Sequence, residues 1–213
     1  MIRKTLQDFY DKVSGRTVYV IAGGSTVKTQ NLNLLNGKLV VCLNNSYSIY
    51  PDALALYWAD ETWVNNHIEG VKNHPAKFRF HSKFHVSDKY LNSEKHLGIG
   101  NSTILRRTGD KGIDPDLNNV RGNNSGAHIL NLLYNCKVRR IILLGYDMKI
   151  IDGKSHWHGG HSLSIKPEVY CNLFIPSIQS MADFFKRANI EVINTSPNTD
   201  LKCFPRMKLE DVV

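Results

Sequence analysis

Apolar and polar positions along the chain alternate between two periods. Near the start, Leu6, Phe9, Tyr10 and Val13 recur at the spacing of one helix face, and Gly15 follows as a stop. The pattern then becomes an unbroken apolar run, Val18 to Ala22, ending in Gly23 and Gly24. Such a run predicts a strand buried on both faces that feeds a loop. KLVVCLNNS repeats the pattern and ends in Asn44, Asn45 and Ser46; ALALYWAD repeats it again and ends in Asp60. ETWVNNHIEGVKNH returns to helical periodicity, and KFRFHSKF alternates as a strand does. From about 87 to 119, Gly, Asn, Asp and Lys dominate and the periodicity fades, so this segment is expected to hold loops and short elements, a natural place for a lid or an acceptor-binding segment. GNNSGAHILNLLYNC reads as an N-capped helix with Ile129, Leu132, Leu133 and Cys136 on its apolar face. VRRIILLGYD predicts a strand, PEVYCNLFIPSIQSMADFFKRA a helix bent near Pro176, and IEVINTS the last strand.

Strands alternating with helices predict an α/β fold: a Rossmann-like, mostly parallel sheet with helices on both faces. The 213 residues show no repeat or linker and read as a single domain over 1–213, with the loop-rich insertion around 87–119. In such sheets ligands bind beyond the carboxyl ends of the strands. That rule selects Gly23, Gly24 and Ser25; Asn44, Asn45 and Ser46; Asp60; Gly145, Tyr146 and Asp147; and Asn194, Thr195 and Ser196. These residues are small or hydrogen-bonding, which suits a sugar-and-phosphate ligand better than an apolar one.

Composition narrows the class. The 42% apolar and 22% charged content is that of an ordinary globular chain, and no stretch approaches the roughly 20 unbroken apolar residues of a membrane span. Cys42, Cys136, Cys171 and Cys203 form no CxxC pair and read as reduced thiols, so the expected location is cytoplasmic. A formal charge of +8 favours a polyanionic partner such as nucleic acid, a phosphate-bearing substrate or an acidic glycan. The basic residues come as scattered pairs and not as a tract, which leaves a generic basic surface equally open.

Three stretches carry candidate chemistry. GGST after the first strand can bring backbone amides to a phosphate or serve tight-turn packing. RGNNSG sets Arg121, Gly122, Asn124, Ser125 and Gly126 at a helix N-terminus, where the dipole favours anions; Arg121 precedes the cap without a structural need for it. HWHGGH holds three of the nine histidines in six residues: His156, His158 and His161. Its H-x-H-x-x-H spacing resembles the opening of the metallo-β-lactamase signature, but Gly160 replaces the acid and no downstream set completes a second shell. A metal site on His156, His158 and His161 is the minor reading. The other is acid–base work, since imidazole titrates near pH 6.5.

The order of VIAGGSTV, CLNNSY, RGNNSGAHILNLL, IILLGYDM, GGHS and INTSPNTDLKCF resembles the bacterial lipooligosaccharide sialyltransferases. It is also similar to the wider group of phage-encoded, MptE-like and motility-accessory proteins related to them. The likeness runs from about Val18 to Phe204 and is thinnest between Glu61 and Asn118. It implies a glycosyltransferase A-like fold that transfers a sugar from a nucleotide-sugar donor, CMP-linked, to a hydroxyl acceptor with no metal or other cofactor. By that likeness His161 is the general base, Gly23, Gly24, Ser25, Asn44 and Asn45 line the donor, and Asp60 falls where the family has an asparagine; Asp147, at the end of its strand, is expected to bind the donor as well. Arg121, Ser125 and Gly126 match its Arg-x-x-Ser-Gly with one extra residue. Where the family supports the leaving phosphate with two tyrosines, this chain has Lys149 and, near the second position, His156 or Trp157. The family loop GNGPS is GGST here. A phage-encoded member would act in the host cytoplasm on a glycan or modified DNA acceptor, with a homo-oligomer possible.

Two further readings stay open. An MptE-like diphosphotransferase would use ATP and Mg²⁺ held by Asp60 and Asp147. A nucleotide-binding accessory protein would keep the fold without the reaction.

Overall fold

The computed structural model describes residues 3–84, 99, 102–159 and 165–213. Its scaffold is one eight-stranded, wholly parallel sheet with the order β6-β5-β4-β3-β2-β1-β7-β8. In chain order the elements are α1 (Lys4–Val13), β1 (Thr17–Ile21), β2 (Leu39–Leu43), β3 (Ala55–Trp58), α2 (Glu61–Asn73), β4 (Phe78–Lys83), β5 (Ser102–Gly109), β6 (Asn119–Arg121), α3 (Ser125–Asn135) and β7 (Arg140–Leu144). They are followed by α4 (Pro167–Val169), a π-helical turn (Tyr170–Phe174), α5 (Ile175–Gln179), α6 (Ala182–Arg187) and β8 (Glu191–Asn194).

The apolar runs are unbroken because their strands are covered twice. Along β1, Val18 and Val20 face one core while Tyr19 and Ile21 face the other. In β7, Ile141 and Leu143 oppose Ile142 and Leu144 in the same way. Strand side chains alternate faces, so burial on both sides demands an apolar residue at every position. The first core is closed by α1, α3, α5 and α6; the second by α2 and by the 3₁₀ turns after β1 and β2. In α1 the periodic residues Leu6, Phe9 and Val13 are fully buried, each contributing roughly 1.5–3 kcal/mol relative to exposure. Gly15 follows with φ +68°, as a stop requires.

Two features depart from the pattern. The segment expected to be loop-rich contains β5, the longest strand, whose Arg106, Arg107 and Thr108 are only half-buried or exposed, so no apolar run announces it. Residues 87–98, 100 and 101 of that segment lie outside the described residues. The bend expected near Pro176 is a π turn instead. Ile175 N–H bonds Tyr170 C=O, five residues back, immediately before a proline that has no N–H to donate. Among the described residues no helix is long and apolar enough to cross a membrane.

The chain builds β1 to β6 outward in one direction, then returns to place β7 and β8 on the other side of β1. The topological switch point therefore lies between β1 and β7, where the loops leaving the two strands diverge and open a crevice.

Candidate active site

A cleft of about 360 Å³ opens at this switch point. Its floor is made by the strand ends: Ala22, Gly23 and Gly24 after β1, Leu43 and Asn44 after β2, Ala59 and Asp60 after β3, and Gly145 to Met148 after β7. One wall is the start of α3, from Asn123 to Gly126; another is Tyr170 and Phe174 on the π turn, with Ser155 and His156 above β7.

The glycines of GGST are required by contact. A Cβ on Gly24 would lie 2.3 Å from the Gly145 carbonyl oxygen and 2.6 Å from Asp147 Cγ, so the β1 and β7 loops touch through that residue. Gly24 N–H donates to Gly145 C=O at 2.9 Å. A Cβ on Gly23 would lie 2.8 Å from His156 Cδ2, and Trp157 N–H donates to Gly23 C=O at 3.0 Å. The histidine-rich loop is thus laid across the first glycine.

Asp147 is buried and held by Thr26, whose N–H donates to Oδ2 at 2.9 Å and whose hydroxyl donates to Oδ1. Burial raises its pKa above the ordinary carboxylate value, with the Thr26 bonds opposing. Tyr170 donates to Ser155 C=O at 3.2 Å, and burial together with the Asp147 charge pushes its pKa up to about 12. It remains a neutral hydroxyl. His128, on the inner face of α3, is pinned at both ring nitrogens, by Gly122 C=O at 3.0 Å and Ser82 Oγ at 3.1 Å. Burial holds its pKa down at about 4, so it is neutral at neutral pH and has no nitrogen to spare for a substrate.

The cleft contains polar atoms left without protein partners. Asn44, in the left-handed region at φ +48°, has its Oδ1 buried and unbonded, and so is Asn124 Nδ2. Asn124 Oδ1 meanwhile caps α3 by accepting from Ala127 N–H at 2.9 Å. The Ser125 and Gly126 amides, first and second in α3, have no intrahelical acceptor and line the same space. Arg107 is the only guanidinium or ammonium among the described lining residues. Its Nη2 donates to Asp110 and Asn123, at 2.8 and 2.7 Å, while its Nε is buried without a partner.

Several expected residues meet here: Gly23, Gly24, Asn44, Asp60, Asn124, Ser125, Gly126, Asp147 and His156. Other expected residues do not line this cleft. Arg121 lies on the edge strand β6, with Nε 3.9 Å from Asp114 and 3.5 Å from Thr108 Oγ1, and does not line the cleft. Lys149 pairs with Asp200 at 3.0 Å. Asn45 turns inward and accepts from Trp63 Nε1. Ser25 Oγ donates to Lys154 C=O, and Gly122 packs against Ala127 and bonds His128 through its carbonyl. His158 stacks obliquely on His156, with ring centroids 5.3 Å apart, outside the lining. His161 lies outside the described residues, as does the third ligand of any metal site with His156 and His158. Among the described residues no group of three His, Cys, Asp or Glu is placed to hold a metal ion. Asp60 spends Oδ1 capping α2, accepting from Thr62 and Trp63 N–H, while Asp147 has both oxygens engaged by Thr26.

Sequence reasoning missed Arg107, His128, Tyr170 and Phe174. The last two were legible in principle: four apart in VYCNLF, they share one helix face, and their rings meet edge-on at 5.7 Å.

Fold and cleft together define a doubly wound, all-parallel α/β protein whose cavity sits at the topological switch point. Among solved structures, the chain is similar to an X-ray structure of a mutant of the alpha-2,3/8-sialyltransferase CstII, with a TM-score of 0.53 over 90% of this chain and 86% of that chain. The two are 13% identical in sequence, so the likeness is one of fold. No family model and no curated protein matches the chain.

Proposed function

We propose that the protein is a glycosyltransferase that moves a sugar from a nucleotide-sugar, CMP-linked, to an acceptor hydroxyl without a metal ion. One observation carries this reading. The cleft joins an anion-favouring helix end, one arginine, and an unsatisfied donor and acceptor on Asn124 and Asn44, at the place where sheets of this topology take their ligands. The likeness in fold to a sialyltransferase supports it.

In this reading the phosphate of the donor lies at the Ser125 and Gly126 amides and Arg107, while Asn44 and Asn124 bond the nucleoside or sugar. As the bond from the anomeric carbon to the phosphate oxygen breaks, its electron pair passes to the phosphate. Arg107, the α3 dipole and the Tyr170 hydroxyl stabilise the charge that develops there. Arg107 and Tyr170 thus take the parts expected of Arg121 and Lys149. The acceptor oxygen bonds the anomeric carbon, and its proton passes to His161, assigned as base on the family resemblance. His156 and Ile165, which flank that residue in sequence, both line the cleft. The carboxylate of Asp60 faces the positive charge that builds at the anomeric centre.

The engagement of both Asp147 oxygens by Thr26 favours this reading over an ATP and Mg²⁺ reaction at Asp60 and Asp147. The test is a thermal-shift series with CMP, UDP, GDP and ATP, each with and without Mg²⁺, followed by donor turnover in His161→Ala. A rise in Tm with CMP that needs no Mg²⁺, and loss of turnover with binding kept, is expected. A response to ATP only with Mg²⁺, or full turnover in His161→Ala, overturns it.

A further inference from the structure

Arg107 is oriented by hydrogen bonds to two side chains, Asp110 in the loop after β5 and Asn123 just ahead of α3. We infer that a third residue, Ser177, is the positioning residue of this arrangement: it holds both of those partners and thereby aims the guanidinium at the leaving phosphate. The inference rests on the transfer reading above, in which Arg107 stabilises that phosphate.

Ser177 lies on α5 and is fully buried, next to the core residue Ile178. A hydroxyl in such a place costs stability unless it is bonded. The usual partner of a helical serine is a carbonyl one turn back on its own helix. Ser177 instead bonds two segments far away in the chain. Its Oγ donates to Asp110 C=O at 2.8 Å, 67 positions earlier, and accepts from Asn123 N–H at 3.1 Å, 54 positions earlier. The side chains of these same two residues accept from Arg107 Nη2, at 2.8 and 2.7 Å. One hydroxyl thus fastens the backbones of both partners of a single guanidinium without bonding the guanidinium itself.

Ser180, three residues on, binds the same loop. Its Oγ accepts from Gly112 N–H at 2.7 Å and donates to Ser177 C=O at 2.6 Å. The loop after β5 is therefore tied to this arm at Asp110 and again at Gly112, where φ +72° turns the chain. The tie matters because the Asp110 side chain is 59% exposed, and an exposed ion pair on an untethered loop is a weak guide for a guanidinium. The same arm carries the other group assigned to the phosphate. Tyr170 and Phe174, on the π turn that leads into α5, line the cleft, while Ser177 stands outside its lining. Arg107 and Tyr170 come from distant parts of the chain, and Ser177 is a hydrogen-bonded link between the segments that bear them.

The experiment is calorimetric titration of CMP and of cytidine into the wild type, Ser177→Ala, Arg107→Ala and the double variant. Ser177→Ala should weaken CMP about tenfold, the loss of one hydrogen bond to a charged group, and leave cytidine, which has no phosphate, within about twofold. In Arg107→Ala, CMP binding should fall toward that of cytidine, and adding Ser177→Ala should change it no further, because the hydroxyl acts only through the guanidinium. Ser177→Cys keeps the shape and bonds weakly; its CMP affinity should fall between those of the wild type and the alanine variant, and it carries the test if Ser177→Ala does not fold. Equal losses for CMP and cytidine, the same CMP loss with and without Arg107, or unchanged CMP binding overturns the inference. Inorganic pyrophosphate, titrated in parallel, separates that failure from failure of the transfer reading. A pyrophosphate response that Ser177→Ala weakens only when Arg107 is present, in a protein that answers to no nucleotide, would leave the positioning role standing and remove the transferase. CMP binding that depends on Arg107 but not on Ser177 would do the reverse.

Discussion

His128 offers a quantitative test of how the start of α3 is held to β4. It is 1% exposed and bridges the carbonyl of Gly122, ahead of α3, to the hydroxyl of Ser82 on β4. A carbonyl can only accept, so Nε2 carries the proton and donates to Gly122, leaving Nδ1 to accept from Ser82. Burial holds the pKa at about 4, against 6.5 for an ordinary histidine, with the Arg107 charge acting in the same direction. The folded state therefore resists a proton that the unfolded chain takes up readily. Stability from this group is complete above pH 6.5 and is lost as pH falls toward 4. At 1.36 kcal/mol per pH unit the whole effect is roughly 3 kcal/mol, of which about 2 kcal/mol is gone by about pH 5. The perturbation is His128→Gln, whose amide can donate to one partner and accept from the other without titrating. Urea unfolding at about pH 7.5 and about pH 5 should show the variant losing about 2 kcal/mol less than the wild type over that interval. His74, whose pKa burial also lowers, contributes to acid loss in both proteins and cancels in the comparison. Parallel losses, or an NMR titration placing His128 near its ordinary value, would refute the reasoning.

Other substitutions test the loops at the switch point. Gly24→Ala puts a methyl group against the Gly145 carbonyl, which is backbone and cannot rotate away; a loss of about 1–3 kcal/mol by urea unfolding and a weaker CMP response are expected, and unchanged values would count against the close crossing. Thr26→Val removes the hydroxyl bond to Asp147, whose carboxylate keeps the Thr26 and Ser25 N–H groups and Ser196, at a cost of about 1.5–3 kcal/mol. The folded-state pKa of Asp147 is already raised by burial and rises further in the variant, so stability is lost as pH climbs through it; the deficit should be larger at about pH 7.5 than at about pH 5, and an equal deficit would refute the assignment. Asp60→Ala should cost about 1 kcal/mol as a lost helix cap, whereas Asp60→Asn should keep the cap and reveal in donor turnover whether the charge matters.

The central strands were legible because their physics is local. A strand covered on both faces must be apolar at every position, so VYVI, LVVCL, ALYW and RIILL stand out as runs, and the polar residues that end them mark the rim of the cleft. The same reasoning overlooked β5. With Ser102, Thr103, Arg106, Arg107 and Thr108 among its eight residues, it shows no run and no clean alternation, although it is the strand that brings the cleft its arginine.

The sequence by itself determined the parallel α/β class, the positions of the central strands and helices, and the loops that would carry the site. Only the tertiary structure decided which side chains in those loops face the ligand. Of two adjacent asparagines, Asn44 opens to the cleft while Asn45 turns inward to Trp63; of two arginines, Arg107 reaches the cleft while Arg121 stays on the edge strand beside Asp114. The reason is physical. Apolar periodicity records which face of an element is buried, a property of neighbouring residues. The direction of a polar side chain on a loop is set by partners that the fold brings from far along the chain, such as Thr26 for Asp147, separated by 121 positions.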